Sequence, residues 1–440
     1  MTAVWWIRRD MRLADNPALL EAQAHGPVAA VFPWSSRIHF WSGRRRAHLA
    51  RVLWGLREAT GGALAVRRGY PHEVLPALAR EVGARIVWAQ REYYPSSLAE
   101  QDRVASALAE LGVELRLVGS QYLAPPGALH TAGGTPFQVF TPFYRSWRDE
   151  PRHNPFLPAD RGGFMPLEST IDLDQEAARG DAEDPLAYPA EFREERWLAR
   201  LEDFVATALP DYEHGRETPG RPGTSRLSIA LAFGQIHPRT ILAHLPRDGA
   251  AAEGASAFAR ELAWRDFHAE TLFQHPTAVR VSIKTVIPDD AWETGRNTDT
   301  IFQAWRDGRT GFPLVDAGMR ELAATGRMHN RVRMVVASFL VKDLHLPWQR
   351  GATYFRRALL DYDHAQNQLN WQWVAGTGRD AAPFFRIFNP ELQRKLHDPD
   401  FTYVRRWVAE LDTPAYPAPM VDHAAERARS LADYRRGKGA

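Results

Sequence analysis

The first 120 residues alternate short apolar runs with amphipathic stretches, and this alternation restricts the possible folds more than any other feature of the chain. The runs at 3–7, 28–32, 64–67, 85–88 and 115–118 are rich in Val, Leu, Ala and Trp and too short for packed helices, so they read as strands. Between them, 16–25, 44–59, 72–82 and 97–111 carry helical spacing. Strands joined through single helices pair in parallel, which predicts an α/β, doubly wound, Rossmann-like sheet. No Gly-x-Gly-x-x-Gly follows the first strand, so the usual dinucleotide fingerprint is absent. A ligand at the carboxyl ends of the strands is still expected.

The pattern then changes. Pro125-Pro126-Gly127, Gly133-Gly134, Pro151, Pro155, Pro158, Gly162-Gly163 and Pro185 interrupt 124–190, which reads as a connector. Beyond 191, strand signals nearly vanish. Helical runs at 193–208, 225–233, 238–245, 256–273, 299–307, 314–325, 329–346, 352–360, 364–374 and 403–410 predict an all-α domain. The expected organisation is an α/β domain at 1–123, a connector at 124–190, a helical domain at 191–411 and a tail at 412–440.

Composition excludes several classes. The 440 residues contain no Cys, which rules out disulfides, Cys-ligated metal centres and a thiol nucleophile; no metal site is expected. No 18-residue apolar stretch occurs, and the first apolar run stops at Arg8, so the expectation is a cytoplasmic protein without membrane segments. Net charge is only +2 but uneven: 151–200 holds 11 acidic residues against 6 Arg, while 301–440 holds 21 Lys/Arg against 15 Asp/Glu. Arg supplies 51 of the 55 cations, giving the C-terminal part planar forks suited to phosphate. Clustered Arg on a solvated surface explains the same numbers equally well.

Four constellations carry possible chemistry. Thr224-Ser225-Arg226-Leu227-Ser228 follows Gly220, Pro222 and Gly223 and opens a helical run, an arrangement that suits an anion or a plain N-cap. Glu261, Trp264, Arg265 and His268 share one helical face, although Glu261 and Arg265 also have the spacing of an exposed ion pair. In Met328-His329-Asn330-Arg331-Val332-Arg333-Met334, Asn330 and Met334 stand one turn apart and can face one cavity. Asp361-Tyr362-Asp363 precedes Asn367 and Trp371-Gln372-Trp373; indoles two residues apart on a helix diverge by about 200°, so the two serve different walls, or both pack in a core.

Together these segments resemble the DNA photolyase/cryptochrome family, most nearly the microbial class I cyclobutane pyrimidine dimer photolyases. The resemblance rests on Trp6-Ile7-Arg8-Arg9-Asp10 with Asp15-Asn16-Pro17, Thr224–Ser228, Glu261 through Phe267, Gly311-Phe312-Pro313 with Asp316-Ala317, Met328–Met334, and Asn370–Trp373 with Phe384-Phe385-Arg386-Ile387-Phe388-Asn389-Pro390. These occur in family order over roughly 1–411, and 412–440 carries no usable resemblance.

The resemblance implies a helical domain enclosing FAD. Tyr212, Phe258 and Thr224, Ser225, Arg226, Leu227 and Ser228 would hold it, with Asp361, Tyr362 and Asp363 near the ring and Arg333 balancing their charge. Asn367 would lie beside the reactive ring nitrogen, where a neutral amide does not repel a reduced flavin. UV-damaged DNA, single- or double-stranded, is the implied partner of a monomer, with the dimer extruded into a pocket at a cost of a few kcal/mol. Trp264 and Trp373 would wall that pocket, stacking being worth about 1–3 kcal/mol per base. Glu261 and Asn330 would hydrogen-bond the lesion, Met334 would fill space beside them, and Arg216, Arg331, Arg386 and Gln393 would contact DNA. Reduced FAD, excited by light, would pass one electron to the dimer and recover it after ring splitting. Trp371, Trp348 and Trp305 would form an electron route from flavin to surface.

A second, antenna chromophore is also implied. Where folate-binding relatives place Glu, this chain has Tyr94 in Arg91-Glu92-Tyr93-Tyr94-Pro95, which favours deazaflavin or FMN over folate. The rival readings are a cryptochrome-like blue-light receptor and a (6-4) photolyase. Asn367, Glu261, Asn330, Met334 and Trp373 favour dimer repair, and the His expected for (6-4) chemistry is replaced by Asn330, with His329 adjacent.

Overall fold

The computed structural model describes residues 1–179, 193–295, 297–380 and 385–438. Phe384, the 180–190 portion of the connector and residues 191–192 lie outside the described residues. Five parallel strands, β1 (Ala3–Trp6), β2 (Val28–Trp34), β3 (Ala65–Arg68), β4 (Ile86–Gln90) and β5 (Glu114–Val118), form one sheet in the order β3-β2-β1-β4-β5. The intervening helices are α1 (Pro17–His25), α2 (Gly43–Ala59), α3 (Pro71–Val82) and α4 (Pro95–Ala109). Both faces of the sheet are buried, which is why the strands read as unbroken apolar runs. Val4 and Trp6 pack with Leu75, Leu78, Val104 and Leu108 of α3 and α4. Trp5 points the other way, into a core with Leu19 of α1 and Leu53 of α2.

That second core does not end at the sheet. It runs on through Phe140, Phe143 and Trp147 of a connector helix, α5 (Phe140–Asp149), into Phe204, Phe233, Phe258 and Phe267 of the helical domain. The described part of the connector is therefore packed into the core through α5. Proline and glycine dominate its sequence, yet α5 turns three aromatic side chains inward. A separate core, built on Val332, Val336, Phe339, Trp305, Trp348, Phe355 and Trp371, holds the C-terminal helices.

The loop after β1 joins the two domains. Arg9 donates from Nε to Ala232 O at 2.9 Å, from Nη1 to the Tyr94 hydroxyl at 2.7 Å and from Nη2 to Asp363 Oδ2 at 2.6 Å. Arg12 Nη1 donates to Gly234 O at 2.9 Å, and Asp15 takes Arg239 Nη2 at 2.9 Å. Gly234 has φ +73°, and a Cβ there would stand 1.8 Å from Arg9 O, so only glycine lets the domains close.

One expectation is corrected. The 225–233 run begins as helix only at Ser228 (Ser228–Phe233), because Arg226 adopts φ +56° and breaks the turn. In the tail, His423–Gly437 is a helix packed on the helical domain, with Ser430 Oγ donating to Lys342 O at 2.7 Å.

Burial alone would raise the Asp363 pKa, but Arg9 and Arg265, with hydrogen bonds from Arg9 and Tyr94, hold it well below the carboxylate range. A depressed folded-state value stabilises the fold above the unfolded value of 3.8, and that stability is lost as pH falls through the folded value. Arg9→Met should thus cost about 3–5 kcal/mol at neutral pH. The deficit relative to the parent should shrink as the pH is lowered in urea-unfolding series, since the orphaned carboxyl then becomes protonated.

Candidate flavin and lesion cavity

Three long helices, two short ones and the loops beside them close on a cavity of about 520 Å³. The Ala252–Gln274 helix contributes Glu261, Trp264, Arg265 and His268, the face that the three- and four-residue spacing selects. The Asn330–Lys342 helix contributes Asn330, Arg331, Arg333 and Met334. Asn330 is free to face the cavity because the cap is His329, whose Nδ1 accepts from Arg331 N at 3.3 Å. The His364–Ala375 helix adds Gln366 and Trp373, the short Tyr212–Gly215 and Ser228–Phe233 helices add Tyr212 and Ser228, and the loops add Arg216, Thr224, Asp361 and Asp363. A smaller adjoining cavity of about 80 Å³ shares Asn330, Arg333, Met334 and Asp361 and is completed by Tyr362, Asn367 and Trp371. Trp371 and Trp373 accordingly face different walls.

The electrostatics of the site are built from long-range pairs. Glu261 takes Arg216 Nη1 at 2.6 Å, so the local Glu261–Arg265 pair does not form; Arg265 Nη1 instead donates to Gln121 O at 2.6 Å. Arg331 is paired with Glu217. Two of the three arginines expected at DNA, Arg216 and Arg331, are thus held at the cavity by carboxylates of the protein. Arg333 Nη2 donates to Asp361 Oδ2 at 2.8 Å, while Asp361 Oδ1 is buried with no partner among the described residues. Asp363 is balanced by Arg9, not Arg333. Its Oδ2 takes Arg9 and the Tyr94 hydroxyl, and its Oδ1 caps the helix through Gln366 N at 3.1 Å. Desolvation pushes His268 and His329 down to about 4, so both rings are neutral.

The cradle expected at 224–228 is only partly at the wall. Thr224 and Ser228 line the cavity, whereas Ser225 Oγ accepts from Leu227 N at 3.3 Å, Leu227 is buried and Arg226 is exposed. Phe258 forms a layer behind Tyr212, with ring centroids 5.2 Å apart. Asn367 donates its amide hydrogens to Ala352 O at 3.1 Å and Gln368 Oε1 at 2.7 Å, which leaves its carbonyl as the group able to meet a ring N–H. Arg386 is exposed, its guanidinium 5.9 Å from the Trp373 ring, and Gln393 lies on the Pro390–His397 helix with a buried, unpartnered Oε1.

Trp371 stands 6.3 Å from Trp305, and Trp348 is buried with its indole donating to Ser282 Oγ at 2.9 Å. Trp305 has no solvent exposure, however, and cannot end a route at the surface. Trp292, like Trp407, is partly exposed and packed on the same core, so it is an indole that reaches the boundary; its place in Asp290-Ala291-Trp292-Glu293 gave no periodic signal. Phe140 was equally hidden. It stacks on Trp264 with centroids 3.6 Å apart and planes within 6°, fixing that indole from behind.

A family model described as the FAD binding domain of DNA photolyase matches residues 258–415, and one described as DNA photolyase matches 3–160. Deoxyribodipyrimidine photo-lyases of Agrobacterium fabrum and Thermus thermophilus are 36% and 38% identical, over 98% and 97% of this chain and 96% of each relative. The chain belongs to the DNA photolyase family. The crystal structure of a bacterial class III photolyase from Agrobacterium tumefaciens matches it with a TM-score of 0.90 at 34% identity, over 100% of this chain and 98% of that one. An archaeal photolyase from Sulfolobus tokodaii with two FAD molecules scores 0.85 at 28% identity, over 99% and 100%. A Synechocystis cryptochrome also scores 0.85 at 28%, over 99% and 98%. The expected nearness to class I gains no separate support from these. The five-strand sheet and helical domain are those of the photolyase fold. The cavity fits the flavin that such a domain binds: Asp361 Oδ1 lacks a partner inside it, hydroxyls of Thr224 and Ser228 border it, and Arg333 supplies a cation. No helix among the described residues is long and apolar enough to cross a membrane.

Phe140→Ala removes a fully buried phenyl from behind Trp264 and should lower the unfolding free energy by about 3–5 kcal/mol in denaturant melts. An unaltered midpoint would show that the stack contributes nothing.

Proposed function

We propose that the protein is a light-dependent DNA-repair lyase that acts, as a monomer, on cyclobutane pyrimidine dimers swung out of UV-damaged DNA. The observation that carries this reading is a single cavity with two chemically distinct sides. One side holds Asp361, Arg333, Thr224 and Ser228, suited to FAD; the other holds Trp264, Trp373, Glu261 and Asn330, suited to a pair of extruded bases. When bound, reduced FAD supplies one electron on absorbing light and recovers it after the cyclobutane ring has split.

The remaining work falls to the protein. Trp264 and Trp373 offer apolar faces that replace the base stack lost on extrusion, each contact worth about 1–3 kcal/mol. Glu261 and Asn330 present polar groups to the carbonyl edges of the lesion, where negative charge develops, and Arg216 beside Glu261 offsets the charge of that carboxylate. Met334 fills the space between cofactor and lesion sides. Asn367 sets a neutral carbonyl near the ring nitrogen, adding no negative charge beside an electron-rich ring. Arg331 lines the cavity and Arg386 stands beside Trp373, and phosphate contacts from them and from Gln393 would make binding salt-dependent. Trp371, Trp305 and Trp348 form the inner part of an electron route, with Trp292 at its outer end. The (6-4) reading is weakened by Asn330 at the position expected for His and by His329, whose ring is neutral and whose Nδ1 caps a helix.

A second cavity of about 510 Å³ opens at the carboxyl ends of β1, β2 and β4, lined by Trp6, Phe32, Trp41, Arg37, Glu92 and Tyr94. It is the place for the antenna. Tyr94 is committed to Arg9, Asp363 and Tyr122, whereas Glu92 Oε1 is buried without a partner and can accept from a ring N–H. Flat aromatic walls and flanking arginines support a deazaflavin or FMN here, and the Sulfolobus structure, with its two FAD molecules, is described as implying a novel light-harvesting cofactor.

Trp371→Phe should abolish photoreduction of oxidised flavin, followed by absorbance under blue light, and spare repair by chemically reduced protein. Glu261→Ala should lower the repair yield at saturating DNA more than it weakens binding; equal losses would contradict its electrostatic role. If purified protein carries no flavin absorbance and restores no dimer-containing oligonucleotide under light, the reading fails.

A further inference from the structure

Residues 385–388 lead out of the Trp373 region, and the contacts that hold them come from outside the site. Phe385 stacks on Tyr434 of the His423–Gly437 helix, centroids 4.3 Å apart and planes within 14°. On a second side stands the Lys342 ammonium, 4.4 Å from the centre of the Phe385 ring. On a third is Gly376, the left-handed cap of the Trp373 helix, where a Cβ would come within 3.1 Å of the same ring. Lys342 also donates to the carbonyl of Arg386, the residue whose guanidinium lies 5.9 Å from Trp373. Phe388 N donates to Ser338 Oγ at 3.3 Å, so the far end of the segment is pinned too.

The C-terminal helix is itself fastened from several sides. Ser430 Oγ donates to Lys342 O at 2.7 Å, His345 Nε2 meets Glu426 at 2.7 Å, and Arg429 and Arg436 pair with Glu293 and Asp290 at 2.8 and 2.5 Å. His423 pairs with Asp343, next to Lys342. The helix and the lesion wall therefore share one buried lysine and one aromatic ring. The matched FAD-binding region ends at 415, before this helix begins.

We propose that the His423–Gly437 helix is a positioning element of the lesion site: through Tyr434 and Lys342 it clamps Phe385, and the clamp sets Arg386 against the mouth of the pocket beside Trp373. The inference rests on the lesion-binding reading given above. Tyr434 and Lys342 are positioning residues, since neither lines the cavity. Their loss should leave the flavin side intact and loosen the DNA side. An arginine held by its own backbone contacts meets phosphate without first being ordered, so the effect belongs in affinity rather than in the photochemical step.

The test uses full-length, flavin-loaded protein carrying Tyr434→Ala, Tyr434→Phe or Lys342→Met. Binding to a dimer-containing oligonucleotide is read by fluorescence anisotropy, and repair under light at saturating DNA is read separately. Tyr434→Ala and Lys342→Met should weaken binding about tenfold, with flavin content and saturating repair rate held. Tyr434→Phe keeps the stacked ring and should bind as the parent does. Parental affinity in Tyr434→Ala would overturn the proposal, as would loss of flavin in step with loss of binding, which marks a general folding role. A parent that neither binds nor repairs the oligonucleotide would instead overturn the lesion reading itself, so the two failures are distinguishable.

Discussion

A buried ion pair, Arg9 with Asp363, is the interaction on which the two halves of the molecule depend. The residues stand 354 positions apart, yet their side chains meet at 2.6 Å, and the Tyr94 hydroxyl completes the contact. Removing two charges from water is costly, and a pair of this kind is retained only when geometry and further hydrogen bonds offset that cost. Here they do, because Arg9 also donates to Ala232 O and Asp363 also caps a helix. The same carboxylate thus orients the helix bearing Asn367, Trp371 and Trp373 and ties it to the loop after β1. Arg9 and Tyr94 border the strand-end cavity while Asp363 borders the flavin cavity, so one charged cluster is the common wall of two binding sites.

Around that wall the cavity is held by groups that do not line it. Phe140 backs Trp264 from the connector, and Phe258 backs Tyr212. Asp266 accepts from Trp147 Nε1 at 2.9 Å and Ala124 N at 2.8 Å, so α5 is fastened to the helix that presents Glu261 and Trp264. Preorganisation of this sort matters for a pocket that must receive two bases at once, since every side chain ordered in advance is one not ordered on binding.

Much of the fold was legible because its physics is local. Strand positions were read to within two or three residues, since burial on both faces leaves no polar interruption in Ala3–Trp6 or Val28–Trp34. Site residues such as Glu261, Trp264, Asn330 and Trp373 could be grouped by helical spacing and by family resemblance, and they do converge on one cavity. What could not be read was set by distant partners. Nothing near Glu261 announces Arg216, and nothing near Asp363 announces Arg9. The α5 helix was masked by surrounding prolines and glycines, and its stability comes from docking rather than propensity. Arg226 ended a helical pattern early through a backbone conformation that its residue type disguises. Trp305 looked like a surface terminus, and only its packing against Phe302, Phe355 and Trp371 revealed it as core.

Gly351 sets a spacing that no side chain in the pocket controls. The helix Trp348–Ala358 crosses Trp371 so closely that a methyl group at 351 would come within 2.1 Å of the indole's outer edge. The same indole also packs edge-on against Trp305 and Phe355. Tunnelling between rings falls steeply with separation, so this missing β-carbon works as a shim of zero thickness. Adding even alanine would pry the inner indole from its seat and retune how quickly a flavin in this bowl could be recharged.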